Sequence, residues 1–325
     1  HALDCDPTVM NGAVMKNFAT PDAPFASALV GAGDAFISEV DESDGSIAFY
    51  TPDIAVLNNI ALDHKSMDEL RALFGDFIGK ARVAVLNLDN EEVARLPRGN
   101  AVTYSLGGTT ADLLASDVAE RPDGIDFLVN GVSVSLKVPG RHNASNALAA
   151  LAAATAAGIP LEDAARALGD FTGLKRRMDI VGTANGVTVI DDFGHNPDKI
   201  SATLNTLHAF PGRLLIFFQP HGYGPLKQMG RELTATFANL MSEDDVLILC
   251  DPVYFGGTVD RSIGSETIVD GVSAMGKRAE HFASREACGD RLAVLAKRSD
   301  RIIVMGARDD TLSTFAQSIV DRLDR

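Results

Sequence analysis

From residue 186 to the C-terminus, short apolar runs alternate with longer amphipathic stretches at a steady interval. GVTVIDD, RLLIFFQ, DDVLILC, AEHF and RIIVMGA read as strands, and the stretches 197–208, 226–241, 264–275, 285–297 and 311–323 read as helices. Apolar strands separated by helices of ten residues or more predict right-handed βαβ crossovers and a parallel sheet buried on both faces. In such sheets ligands gather beyond the carboxyl ends of the strands. The segments to search are therefore DDFGHNP (191–197), QPHGYG (219–224), DPVYF (251–255) and GARDD (306–310).

The first part of the chain is less regular. AFISEV (35–40), DIAVLNNI (53–60) and ARVAVLNL (81–88) are predicted as buried, parallel strands. IDFLVNGVSVSLKV (125–138) alternates around Asn130-Gly131, the signature of a hairpin with a type I′ turn. ASNALAALAAATAA (144–157) predicts a helix with Asn143 as N-cap, stopped by Gly158, and a second helix follows over 161–170. The change of pattern divides the chain into two expected domains, 1–177 and 178–325, and 325 residues suffice for two cores.

Composition narrows the function classes. A formal charge of −15, with 44 acidic against 29 basic residues, repels nucleic-acid phosphates and anionic membranes, so neither is expected as a partner. No apolar run approaches the roughly 20 residues that span a bilayer. Cys5, Cys250 and Cys288 are scattered and odd in number, which fits neither a metal motif nor a disulfide framework, and the cytoplasm is the expected compartment. The opening residues, HALDCDPT, read like the middle of a domain, so a fragment of a longer protein is expected.

Several constellations carry candidate chemistry. Glu39, Asp41, Glu42 and Asp44 crowd a strand end, either as a solvated acidic turn or as oxygen ligands for Mg²⁺. His64 follows the next strand and gains interest only if one crevice holds it with Glu39. Arg141 and His142, ahead of a helix, suit an anionic or nucleotide ligand. Lys175, Arg176 and Arg177 are either a solvated face or groups that neutralise charge on a transferring phosphoryl. Asp192 suits a ribose diol, His195 a substrate carboxylate or phosphate, and His221 with Tyr223 repeats that arrangement at the next strand end.

Taken in order, DPT (6–8), EVDESDGS (39–46), NNIALDH (58–64), GRHNASNALAA (140–150), FTGLKRR (171–177), DDFGHNP and FQPHGY (218–223) resemble the Mur ligases, and within them the alanine-adding branch. The resemblance implies an α/β protein with a central ATPase domain and a doubly wound, Rossmann-like C-terminal domain. It implies an ATP- and Mg²⁺-dependent amide ligase working through an acyl phosphate. Its substrates would be an amino acid and a UDP-sugar-type carboxylate such as UDP-N-acetylmuramate, in peptidoglycan synthesis. It also implies roles. Glu39 and His64 would hold Mg²⁺, and Arg141, His142 and Asn143 the adenine nucleotide. Arg176 or Arg177 would meet the phosphates, and Asp192 the ribose. Phe193, His195, His221 and Tyr223 would gather the amino acid and the muramyl carboxylate.

The sequence also departs from that family. No G-x-x-x-x-G-K-[ST] loop occurs in these 325 residues, and no segment corresponds to the family's UDP-holding domain, so the fragment alone is expected to be inactive. Phe193 and Asn196 stand where the alanine-adding branch has Tyr and His, Gly222 and Pro225 where it has arginines, and Arg308 where the family has Gly. A divergent ligase with a different amino acid, or a non-catalytic nucleotide-binding module, is the expected alternative. A dehydrogenase is disfavoured, because GAGDA (31–35) lacks the G-x-G-x-x-G spacing.

Overall fold

The computed structural model describes the chain apart from residues 21, 24–25, 62–64, 109, 254–259 and 325. It divides into two compact units, His1–Gly173 and Leu174–Arg325. Residues 174–177, grouped with the first domain on sequence pattern, thus fall in the second unit.

The first unit opens with a small three-stranded sheet of β1 (Thr8–Met10), β2 (Ala28–Leu29) and β3 (Phe36–Ser38), in the order β2-β1-β3, with β1 and β3 parallel. AFISEV was expected to be a buried strand, and here the structure corrects the pattern. Phe36 and Ile37 are 62% and 55% exposed. Successive strand residues point to opposite faces, so exposure of both means that neither face of β3 is covered at this point.

A separate six-stranded sheet runs in sequence order from β4 (Ile54–Leu57) through β5 (Val83–Asn87), β6 (Ala101–Ser105), β7 (Leu113–Arg121) and β8 (Gly124–Val129) to β9 (Val132–Leu136). Strands β4 to β7 are parallel, and β7 to β9 antiparallel. Between the parallel strands lie α1 (Met67–Gly79), started by a Ser66/Glu69 capping box, and the short α2 (Glu91–Ala94). The β8–β9 hairpin pairs Val129 with Val132 across Asn130 (φ 49°) and Gly131 (φ 86°), as the Asn-Gly pair predicts.

Helix α3 (Arg141–Ala156) lays Ala144, Ala147, Leu148, Leu151 and Ala152 against the sheet, in one core with Tyr104, Ile125, Phe127 and Val129, and α4 (Leu161–Leu168) packs beside it. Asn143 is not the N-cap. Gly140, at φ 98°, turns the chain into the helix earlier, and the Asn143 amide donates to Pro139 O at 2.7 Å.

The second unit is built on β10 (Asp179–Ala184), β11 (Val187–Asp192), β12 (Leu214–Gln219), β13 (Val246–Cys250), β14 (Arg278–Phe282) and β15 (Arg301–Gly306), in the order β10-β11-β15-β12-β13-β14. Five strands are parallel; β10 is an antiparallel edge strand joined to β11 at Asn185 and Gly186, both left-handed. The connecting helices are α5 (Pro197–His208), α6 (Tyr223–Leu240), α7 (Glu266–Ala274) and α8 (Arg285–Leu295), with α9 (Thr311–Leu323) last. Helix α6 starts three residues ahead of the expected Leu226, so Tyr223 is its first residue and not part of a loop.

Side chains of the central strands alternate strictly. Leu214, Ile216 and Phe218 join the core with residues of α5, α6 and α7, while Leu215 and Phe217 join the core with residues of α8 and α9. This is a doubly wound sheet. The chain walks outward to β14, then returns to insert β15 between β11 and β12. That reversal leaves a crevice beyond the carboxyl ends of β12 and β15, where such folds hold ligands.

Candidate functional site

In the first unit, a cleft of about 290 Å³ opens at the carboxyl ends of β4 and β5 beside the start of α3. Asn58, Asn59, Asn87, Asp89, Asn90, His142, Ser145 and Asn146 line it. Parallel strands end here, and helix N–H groups point the same way, which favours a polar or anionic ligand. Part of the lining is committed to the wall. Asn58 Oδ1 accepts from the Tyr104 hydroxyl at 2.9 Å, and Asn87 Nδ2 donates to Asn58 O at 2.9 Å. Asp89 accepts from Ser105 Oγ at 2.5 Å and Leu106 N at 2.6 Å, and Asn90 Oδ1 caps α2 through Val93 N. Asn59 and Asn146 have no such bond among the described residues, so their amides remain to offer one donor and one acceptor each.

The structure thus brings His142 to the cleft with a set of asparagines that sequence reasoning passed over. The signal was present: NNI and NLDN place asparagines just past two consecutive parallel strands. Arg141 and Asn143 are not among the lining residues. Arg141 is exposed and stands 4.0 Å from Glu120, and Asn143 is tied to Pro139.

Glu39 follows β3 and is exposed, its Oε2 accepting from Gly12 N at 2.6 Å. In the acidic segment, Asp41 accepts from Ser43 N and Asp44 from Ser46 N, both at 2.7 Å, so these two side chains build the turn. Bonding to Ser46 holds the Asp44 carboxyl below its ordinary range. His64, expected beside Glu39, lies outside the described residues.

In the second unit, the ends of β11, β12 and β15 carry a dense polar network. Arg176 is buried and gives Gly306 O a hydrogen bond at 2.6 Å and Asp309 O one at 3.1 Å. Asp192 is 7% exposed; its carboxylate accepts from Met178 N, Gly194 N and Thr203 Oγ1 at 2.8–2.9 Å. Asp192 therefore holds its own loop together with three of its lone pairs. Arg176, likewise, is spent on backbone, whereas Arg177 is exposed and lies 5.0 Å from the Phe193 ring centroid. The Arg176 guanidinium lies over the same ring, 4.9 Å from its centroid.

His195 and His221 come together from consecutive strand ends, their rings edge-to-face at 5.2 Å. His195 Nδ1 is 2.8 Å from Phe193 O; a carbonyl only accepts, so Nδ1 carries the hydrogen and Nε2 is left as the acceptor of the neutral ring. Burial, outweighing that bond, depresses the His195 pKa. Burial, then the His195 ring and the charges of Arg308 and Lys199, pushes His221 down to about 4. Both imidazoles are neutral near pH 7.

Sequence reasoning missed the frame behind this pair. Gln219 Nε2 donates to Asp309 at 2.9 Å, and Asp309 also binds Arg285 at 3.0 Å and Thr311 Oγ1 at 2.5 Å. Beside it, His281 Nε2 meets Asp251 at 2.7 Å, and His281 Nδ1 stands 3.7 Å from Glu266. Gln219 and Asp309 are 90 positions apart, Asp309 and Arg285 are 24 apart, and His281 and Asp251 are 30 apart, so no local motif links these pairs.

Comparison with known proteins accounts for both units. The Mur ligase middle domain model matches residues 22–154, and the model of the Mur ligase, glutamate ligase domain matches residues 176–308. UDP-N-acetylmuramate–L-alanine ligase of Streptomyces avermitilis is 34% identical over 322 residues, 94% of this chain and 68% of that protein. That of Rhizobium meliloti is 35% identical over 329 residues, 93% of this chain and 67% of that protein. The chain belongs to the Mur ligase family. Its fold agrees: the crystal structure of UDP-N-acetylmuramate–alanine ligase from Thermotoga maritima superposes with a TM-score of 0.78 at 24% identity, covering 99% of this chain and 70% of that one.

Within this Mur ligase chain the departures noted in the sequence cluster in the second unit. Gly222 has φ 142° and precedes α6, so an arginine placed there would strain the backbone. Phe193 presents an apolar ring to two guanidiniums and to His195, at 5.3 Å.

Proposed function

We propose that this chain carries the nucleotide-handling and amine-handling parts of a cytoplasmic ATP- and Mg²⁺-dependent ligase that joins an amino acid to a UDP-N-acetylmuramate-type carboxylate. The observation that carries the reading is the relationship with UDP-N-acetylmuramate–L-alanine ligases over more than nine-tenths of the chain. The Asn-lined cleft supports it. Paired amide donors and acceptors such as Asn59 and Asn146 match the edge of adenine, which offers one of each.

In this reading the acceptor carboxylate attacks the γ-phosphorus of ATP, ADP leaves, and an acyl phosphate forms. The amine then attacks the acyl carbon and gives up a proton, which the departing phosphate can take; phosphate leaves with the bonding pair, and an amide results. Positioning and charge stabilisation supply most of the rate in such phosphoryl transfers. The cleft beside His142 would orient the nucleotide. Arg177, exposed where Arg176 is not, is the better placed of the two to meet an anionic oxygen. His195 and His221, held neutral, offer lone pairs to an incoming amino group. Glu39 suits a hard divalent cation through its outward oxygen, and Mg²⁺ bound there would neutralise charge on the phosphates.

The test is ATP consumption by the full-length gene product with a panel of amino acids and UDP-muramyl acceptors. Turnover that needs one amine and one acceptor is expected. ATP binding without turnover for any pair would replace the ligase reading with that of a nucleotide-binding module.

A further inference from the structure

Asp251, the first residue of the DPVYF strand end, lines neither the asparagine cleft nor the space beside the His195–His221 pair. It belongs instead to a cluster at the outer edge of the second unit's sheet, with Glu266, the first residue of α7, and His281 of the edge strand β14. His281 Nε2 lies 2.7 Å from Asp251 Oδ1, and Nδ1 lies 3.7 Å from Glu266 Oε1. One donor atom from each of the three residues lies within 4.8 Å of the other two.

The backbone beside each donor is tied down. The buried Ser265 hydroxyl donates to Cys250 O at 2.6 Å, so Glu266 and Asp251 each follow one member of a bonded pair. Strand β14 runs parallel to β13, with Leu249 opposite His281 and Cys250 opposite Phe282. Gly264 makes room for the Glu266 carboxylate, because a Cβ at that position would stand 2.2 Å from Glu266 Oε2. Three donors 15 to 30 positions apart in sequence are thus set around one point by strand pairing, a helix start and a glycine.

Charge and hydrogen bonding at that point do not balance without a cation. Among the described residues, neither Asp251 nor Glu266 pairs with a lysine or arginine; His281 is the partner of both. A neutral imidazole has one N–H and one lone pair. With Nε2–H given to Asp251, Nδ1 sets its lone pair against the Glu266 carboxylate, at a separation too long for a hydrogen bond. Two ligand atoms sharing an ion at bonds of ~2.1 Å stand at most about 4.2 Å apart. Nδ1 and Glu266 already meet that limit, and a cation between them turns opposed lone pairs into ligands. Asp251, by fixing the ring through Nε2, plays the part that carboxylates take behind metal-bound histidines.

We propose that Glu266, His281 and Asp251 form a binding site for a divalent transition-metal ion of the Zn²⁺ class, which fastens α7 to the β13–β14 edge of the second unit. Imidazole with carboxylate suits such an ion, whereas Mg²⁺ and Ca²⁺ favour oxygen ligands alone. An ion held by the folded chain only stabilises it. The site does not depend on the ligase reading, and its test needs neither nucleotide nor turnover.

The experiment is a calorimetric titration of EDTA-treated chain with Zn²⁺ and, separately, Mg²⁺, with NMR of the histidine ring signals and thermal melts on the same samples. Cys5→Ser serves as the background, since an exposed thiol also takes zinc. We expect Zn²⁺ to shift the His281 ring signals and raise the melting temperature. His281→Gln and Glu266→Gln should each weaken that binding about tenfold or more while melting like the background protein in EDTA. Unchanged affinity in both variants, or signals moved only at His195 and His221, would place the ion elsewhere and overturn the site. Mg²⁺ bound as tightly as Zn²⁺ would overturn the imidazole as a ligand. No Zn²⁺ binding at all would overturn the proposal and leave His281 as a doubly protonated bridge between two carboxylates.

Discussion

Arg176 Nε faces Asp191 Oδ1 at 3.5 Å, both side chains more than nine-tenths buried, and neither atom has a hydrogen-bond partner among the described residues. Each group is satisfied elsewhere, Arg176 by two carbonyls and Asp191 by Ser313 Oγ at 2.7 Å. Burial raises the Asp191 pKa, opposed by Ser313 and by the Arg176 charge.

Removing one member of a buried ion pair strands the other. Arg176→Ala is expected to destabilise the second unit by about 3–5 kcal/mol in urea unfolding, and Asp191→Asn by less. The double variant Arg176→Ala/Asp191→Asn should recover part of the loss, because no charge is left buried. Asp191's folded-state pKa lies above its unfolded value, so its contribution favours the folded state at low pH and is lost as pH rises through the folded pKa. Asp191→Asn should erase that component; an unaltered pH profile would contradict it.

His221 gives the opposite slope. Its folded-state pKa of about 4 lies below the ordinary 6.5, so the unfolded chain binds the proton first. Stability should fall as pH drops from about 6.5 to about 4, and His221→Gln should flatten that fall by about 1 kcal/mol after allowance for solvent screening of a half-buried ring. Melting temperatures of the two proteins across this range decide it; parallel curves would count against a neutral, desolvated His221.

The asparagine cleft predicts a division of labour. Asn146→Ala or Asn59→Ala should weaken ATP binding about tenfold, or about 1.4 kcal/mol, with melting unchanged. Asn58→Ala should lower the melting temperature as well, since Asn58 also receives the buried Tyr104 hydroxyl. Calorimetric titration with ATP, paired with thermal melts, separates these outcomes. Normal ATP affinity in both of the first two variants would remove the cleft from the nucleotide site.

Glu39 divides a structural from a metal role. Glu39→Gln keeps an acceptor for Gly12 N, so the β1–β3 region should fold normally. Mg²⁺-dependent ATP turnover by the full-length protein should nevertheless fall by at least tenfold, because an amide oxygen is a weaker ligand than a carboxylate. Undiminished turnover would leave Glu39 as a loop anchor only.

Local patterns were sufficient for much of this molecule. The Asn130-Gly131 hairpin follows from two residues that tolerate positive φ. Helix α5 begins where Pro197 leads one to expect, because first-turn chemistry acts over three or four residues. Misreadings arose where a neighbour outside the window decided the outcome. Gly140 took over the entry to α3 from Asn143, and Phe36 and Ile37 read as core although neither face of β3 is covered.

The sequence by itself determined the strand–helix alternation, the residues at each strand end and the family motifs, because side-chain period and turn chemistry are local properties. Only the tertiary structure decided which strand ends meet. Insertion of β15 between β11 and β12 set Gly306 against Gln219, joined Asp309 to Gln219 and Arg285, and gave Arg176 carbonyls 130 and 133 residues away. Such partners are chosen by the packing of whole layers, and that choice separated a spent arginine, Arg176, from a displayed one, Arg177, in two adjacent and identical letters.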